Sequence, residues 1–220
     1  MRRSSLILSA FVLLFGVGFF AGTTPAKADS VDIESPHLFI APTVGVWRWD
    51  NESVFRLDMK DKAAPVYGLR VGYSPITALQ GELVYLTGTN EVEGLDSGDP
   101  EVTLHQVELS FVVNFRNLFD ARLYPFVNLG GGLSLRSSDA TLNDELIFDG
   151  TKVSFHLGAG LKVDLSPKIS ARFNFRDTFY SETRSLGSQE NQVVIDAVEF
   201  TAILEYRIPL GPGGKPERLR

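Results

Sequence analysis

The segment AVEFTAILEYRIP, residues 197–209, alternates in character almost without a break. Val198, Phe200, Ala202, Leu204, Tyr206 and Ile208 are apolar. Glu199, Thr201, Glu205 and Arg207 stand between them, and Ala197 and Ile203 are the only apolar residues on the polar side. A period of two marks a β-strand whose faces meet different surroundings. One face needs water or ionic partners, and the other needs a core or hydrocarbon. Which of them points inward decides what the chain can become.

The pattern recurs along the chain. KISARFNFRDTFY sets Ile169, Ala171, Phe173, Phe175 and Phe179 against Ser170, Arg172, Asn174, Arg176 and Thr178. KVSFHLGAGLKVDL and HQVELSFVVNF alternate in the same way, and LFIAPTVGVWRW, VYGLRVGY, TALQGELVYL and YPFVNLGGGLSLR do so more loosely. Eight strands are predicted, at 38–49, 65–73, 77–87, 102–115, 123–136, 152–164, 169–180 and 197–208. Most exceed the soluble mode of about five or six residues and suit a tilted bilayer crossing of about 9–11 residues with overhang. The connections alternate in length. Those at 50–64, 88–101, 137–151 and 181–196 are long and polar, and those at 74–76, 116–122 and 165–168 are short, two of them carrying the turn-forming Ser-Pro pair. An up-and-down barrel then gathers the long connections at one rim and the short ones at the other. A soluble lipocalin-type barrel has no reason to segregate them.

The N-terminus reads as an export signal. Arg2 and Arg3 precede an apolar run from Leu6 to Phe20, and Ala26-Lys27-Ala28 forms a small-x-small cleavage site. The expected organisation is a signal peptide at 1–28, a barrel at 29–209 and a disordered tail at 210–220. Removing Arg2, Arg3 and Lys27 takes the formal charge from −6 to −9, which disfavours nucleic acid as a partner. The chain has no cysteine, so disulfides and thiolate metal sites are excluded.

The polar face decides orientation. It carries Arg70, Gln80, Glu82, Glu108, Asn128, Arg136, His156, Lys162, Arg172, Arg176, Glu199, Glu205 and Arg207. An arginine held against lipid at the midplane costs about 2–4 kcal/mol. Several would exceed the whole stability of a domain, about 5–15 kcal/mol. In a bilayer this face must turn inward, where an eight-stranded barrel has just enough room for side chains. Glu82, Glu108, Glu199 and Glu205 are expected to pair there with Arg70, Arg172, Arg176 and Arg207, and the glycines at 68, 72, 130, 132, 158 and 160 to leave space for them. Aromatic girdles are expected at Trp47, Trp49, Tyr85, Phe179 and Tyr180 on the long-loop rim, and at Phe39, Tyr73, Phe115, Tyr124 and Tyr206 on the other.

With strand count, loop alternation and the stretches VYGLRVGYSP, FVNLGGGLSLR, HLGAGLKVDLSP and LEYRI in view, residues 37–209 resemble the eight-stranded outer-membrane β-barrel family of OmpA/OmpX type. The resemblance implies an all-β, antiparallel up-and-down transmembrane barrel in the cell outer membrane of a Gram-negative envelope. It also implies a monomer in contact with outer-membrane lipid and lipopolysaccharide, inserted by the barrel-assembly machinery. Family members usually end the last strand on an aromatic residue that this machinery reads. Here Tyr206 is the nearest, and PLGPGGKPERLR follows Ile208.

Candidate chemistry is sparse. His156 falls on the inward face near Lys162 and Glu108, and is read as a hydrogen-bonded structural residue. His105 falls on the outward face near the long-loop rim. Barrels that deacylate lipid A carry a His-x-Ser pair on that surface, but this chain reads HQVELS, with Val107 at the serine position and Ser110 pointing inward. The glycine-rich stretches precede no helix and are not nucleotide sites. Glu91, Glu93, Asp96, Asp99 and Glu101 lack calcium-loop spacing, and Asn51-Glu52-Ser53 is a chance match to a glycosylation acceptor. No catalytic, cofactor-binding or metal residue is therefore assigned. The expected function is non-enzymatic, structural or surface-interacting through four long loops. A lipid A-modifying enzyme and a narrow pore are the alternatives.

Overall fold

Eight strands close into an antiparallel barrel, each paired with its sequence neighbours and the last with the first. The computed structural model describes residues 36–49, 63–91, 101–116, 122–138, 141–142, 145–146, 150–186 and 189–210. The staves are β1 (His37–Trp49), β2 (Ala64–Ile76), β3 (Leu79–Glu91), β4 (Glu101–Asn114), β5 (Leu123–Ser138), β6 (Gly150–Ser166), β7 (Ile169–Leu186) and β8 (Gln189–Pro209). A two-residue ladder pairs Thr141–Leu142 with Glu145–Leu146 in the connection between β5 and β6. The proposed signal peptide, the tail from 211, Asn51-Glu52-Ser53, and Glu93, Asp96 and Asp99 lie outside the described residues.

The alternation translates directly into exposure. Leu109, Phe111, Phe155, Phe173 and Phe200 stand outward on the wall, and Arg172, Arg176, Glu108 and Glu205 are buried within it. Closure gives every strand two partners, which hydrocarbon demands because no water is present to satisfy an open edge. The β1–β8 seam runs from His37↔Pro209 to Trp49↔Ala197, with a gap in the register at Ala41 and Pro42. Proline has no N–H to donate there.

Both Ser-Pro pairs shape turns at the short rim. Ser74 Oγ donates to the carbonyls of Ile76 (2.8 Å) and Leu79 (3.1 Å), and the chain reverses at Thr77-Ala78. Ser166 Oγ accepts from the N–H of Ile169 at 3.1 Å, closing the turn at Pro167-Lys168. Register irregularities fall beside both, between Tyr73 and Ile76 and between Asp164 and Ser166.

Two expectations are corrected. The connection expected at 181–196 is mostly strand: Ser181 pairs with Val194, and the ladder continues to Leu186↔Gln189. Polar side chains there suggested a loop, but a ribbon above a rim needs no apolar face. The girdles also lose members. Phe39, Trp47, Tyr124 and Tyr180 are buried inside the barrel, whereas Tyr73, Tyr85, Phe115 and Tyr206 do face outward. The inward rings bond to charged or amide side chains or cover glycines. Phe39 lies where a Cβ on Gly72 would stand (2.3 Å from Cζ), and Phe126 occupies the same position over Gly160 (2.6 Å).

An outward charge at mid-wall tests this orientation. Leu109→Arg is expected to lower stability by about 2–4 kcal/mol in phospholipid vesicles, read from guanidinium unfolding. A loss near zero would place Leu109 in contact with water and contradict the bilayer assignment.

Candidate functional site

The densest chemistry lies inside the barrel. Arg172 on β7 sits at its centre, bonded through Nη1 to Glu82 and lying 3.7 Å from Glu205 through Nε. Its guanidinium carbon is 5.8 Å from the ring centroids of both Phe39 and Phe126, so cation–π contact covers its two flanks. Toward the short-turn rim, Glu205 holds Lys162 Nζ at 2.8 Å and Arg207 Nε at 3.1 Å. Arg207 and Arg116 both bond Asp164, which also accepts from Tyr124 Oη at 3.1 Å.

Toward the long-loop rim, Glu82 meets Arg70 at 3.3 Å, and Arg70 lies 3.7 Å from Glu199. Arg176 then spans Glu199 (2.5 Å) and Glu108 (2.6 Å). Trp47 Nε1 donates to Glu199 at 2.9 Å. Six basic side chains and five carboxylates thus form one continuous chain of ion pairs. Every carboxylate in it touches at least two basic or imidazole groups, which is the condition for holding such charges out of water.

The four glutamates and four arginines expected to pair all meet here, and Lys162, Asp164 and Arg116 extend the network. A second feature escaped the sequence reading. Above the charged region Trp47, Val66, Val84, Leu86 and Leu104 form a buried apolar cluster inside the barrel. Val84, Leu86 and Leu104 share parity with Glu82 and Gln106 on their own strands, so counting by twos along ELVYL and TLHQ would have found these three.

His156 is held between two β4 side chains. Nδ1 lies 3.3 Å from Glu108 Oε2 and Nε2 lies 3.1 Å from Ser110 Oγ. The expected neighbour Lys162 is engaged elsewhere, with Glu205 and Gln80. Serine, imidazole and carboxylate in this order match the spacing of a hydrolytic triad. The setting does not match. All three are buried, Glu108 is already bound to Arg176 and Ser154, and the ring fills the place of a Cβ on Gly130, 2.6 Å from Cε1. Ser110 Oγ is enclosed among the described residues, and the histidine joins β4 to β6 across β5.

His105 does point outward, as expected. Its Nδ1 lies 3.0 Å from Tyr85 Oη, and the two rings are within 14° of parallel. Val107 and Tyr85 flank it where a nucleophilic serine would be needed. Among the described residues no three His, Cys, Asp or Glu side chains are grouped to hold a metal.

Removing Arg176 leaves Glu108 and Glu199 buried without their shared cation. Arg176→Met is expected to cost about 3–5 kcal/mol, read as a lower guanidinium midpoint and a lower temperature for loss of the compact band on unboiled gels. His156→Ala is expected to cost less, since Glu108 keeps Arg176 and Ser154.

The chain was compared with known proteins. The family model for the outer membrane protein beta-barrel domain matches residues 13–207. No curated protein matches the chain in sequence. Among solved structures it is similar to Neisserial surface protein A, at 13% identity and a TM-score of 0.50 over 78% of this chain and 97% of that one. It is also similar to OprG from Pseudomonas aeruginosa (14%, 0.48, 81% and 98%) and to E. coli outer membrane protein W (15%, 0.47, 80% and 99%). The first of these likenesses shows the fold, and the family model matches most of the chain. The wall of outward apolar side chains around a charge-filled interior is therefore that of a cell outer-membrane protein, and the chain belongs to the outer membrane protein beta-barrel domain family.

Proposed function

We propose that this protein is a non-enzymatic outer-membrane barrel whose long connections and extended β7–β8 ribbon face the cell exterior and carry its role, structural or surface-interacting. The observation that supports this reading is the ion-pair chain. It runs from Asp164 and Arg116 at the short-turn rim to Glu108 at mid-barrel, and the apolar cluster around Trp47 fills the space beyond it. Among the described residues the interior is filled by these side chains, which argues against an ion path or a substrate cavity and favours contact with other molecules at the wall and the rims. The orientation follows the family habit of short periplasmic turns and longer outer loops. On this reading the chain is a monomer inserted by the barrel-assembly machinery.

Two measurements test it. The protein reconstituted in planar bilayers is expected to give no unitary current; steady conductance would make it a pore. Protease added to intact cells is expected to cut within 50–62 or 92–100 and to spare Thr77-Ala78 and Pro167-Lys168. Cleavage confined to those two turns would reverse the topology.

A further inference from the structure

The lipid-facing wall carries a polar strip on β3 and β4 that the filled interior does not explain. Tyr85 on β3 and His105 on β4 project outward just above the exposed Leu83, Val107 and Leu109. Their 3.0 Å bond joins Tyr85 Oη to His105 Nδ1. In the imidazolium, and in the neutral tautomer whose Nδ1 accepts the phenol proton, Nε2–H is a donor. Nε2 makes no hydrogen bond among the described residues.

The next rows toward the rim continue the polarity. Thr87 stands opposite His105, and Thr89 opposite Thr103, all four partly exposed. From Tyr85 to Thr89 this is about 13 Å of strand. The neighbouring flank is different: Leu133, Leu135 and Val153 keep the β5–β6 wall apolar beyond its middle. In hydrocarbon the imidazole Nε2–H and the threonine hydroxyls would find no water to bond, which is costly. The strip therefore belongs at a headgroup level, where tyrosine is favoured.

We propose that this strip seats the phosphorylated sugar headgroup of an outer-leaflet glycolipid. A phosphate oxygen accepts from His105 Nε2–H, sugar hydroxyls meet Thr87, Thr89 and Thr103, and acyl chains run down over Leu83, Val107 and Leu109. The extent of the strip favours a saccharide, because a simple phospholipid phosphate would occupy one row of it. Glu91 and Glu101 face each other at the rim. They put negative charge above the threonines, so the phosphate lies low, beside the imidazole. The proposal rests on the long connections being external.

The test uses full-length protein in detergent micelles, with bis-phosphorylated lipid A as probe and bound lipid quantified by native mass spectrometry. His105→Phe and Tyr85→Phe are each expected to weaken binding about fivefold or more, the loss of one hydrogen bond to a charged group. Leu161→Ala on the β6 wall is expected to stay within about twofold. Dephosphorylated lipid A is expected to bind the wild type as weakly as bis-phosphorylated lipid A binds the His105 variant. Unchanged binding in both aromatic variants, equal binding of dephosphorylated lipid A, or equal binding of phosphatidylglycerol would each overturn the proposal. Unboiled gel mobility establishes that each variant is folded. Binding in micelles does not depend on topology, so an inverted barrel would be exposed by proteolysis on cells with this measurement intact.

Discussion

Arg172 and its two carboxylates state the constraint on which the structure depends. A guanidinium in hydrocarbon must be moved out of lipid, flanked and neutralised, and one barrel interior does all three. Phe39 and Phe126 cover its flanks, Glu82 and Glu205 supply the charge, and closure of β1 onto β8 keeps water and lipid away. The same enclosure makes each pair depend on the others. Glu205 is shared by Lys162, Arg172 and Arg207, and Glu199 by Arg70 and Arg176. Loss of one cation therefore exposes more than one partner. Side chains from β2, β3, β4, β6, β7 and β8 enter the chain of ion pairs directly, Trp47 and Thr43 tie in β1, and Tyr124 ties in β5. A slip of one residue in any strand would turn its charges to lipid. The network selects one register for the whole barrel, beyond whatever it adds to stability.

That selection has a functional consequence. The side chains that in a soluble enzyme would mark a site are here committed to holding the wall together. Ser110, His156 and Glu108 show how far spacing alone can mislead. Their distances fit a triad, yet Glu108 is neutralised by Arg176 and the imidazole is wedged against Gly130. Chemistry needs approach as well as geometry. On the proposed reading, function falls to the wall and the rims, the outward strip on β3 and β4 among them.

Much of this was legible in the sequence because a bilayer penalises error so heavily. Period-two alternation gave the strands, loop lengths gave the up-and-down order, and the concentration of charge on one face gave the inward direction. His105 outward and Ser110 inward followed from parity alone. The aromatics were less legible. Phe39, Trp47, Tyr124 and Tyr180 lie near strand ends, where a girdle ring and an inward ring differ only by one residue of parity. What draws them inward is a partner on another strand: Glu199 for Trp47, Asp164 for Tyr124, Gln106 for Tyr180, and the gap over Gly72 for Phe39. Such partners are invisible until the strands are side by side. The apolar cluster of Val66, Val84, Leu86 and Leu104 was hidden for a related reason, since an apolar residue on the inward face has no charge to declare it.

The extended β7–β8 ribbon carries the remaining asymmetry. The first four strands have 13 or 14 residues and the last four have 16 to 21. The β1 ladder ends at Trp49↔Ala197 and the β6 ladder at Ser154↔Tyr180, but β7 and β8 pair with each other as far as Leu186↔Gln189. On the proposed membrane reading the ribbon above those levels lies beyond the hydrocarbon, where nothing forces alternation. The sequence there reads ETRSLGSQENQ at its centre, and residues 181–186 still pair with 189–194 because backbone pairing needs no apolar side. Their composition marks where the membrane ends, and their hydrogen bonds mark where the sheet ends. The distance between the two is the part of this barrel free to vary without disturbing the register that the buried ion pairs impose.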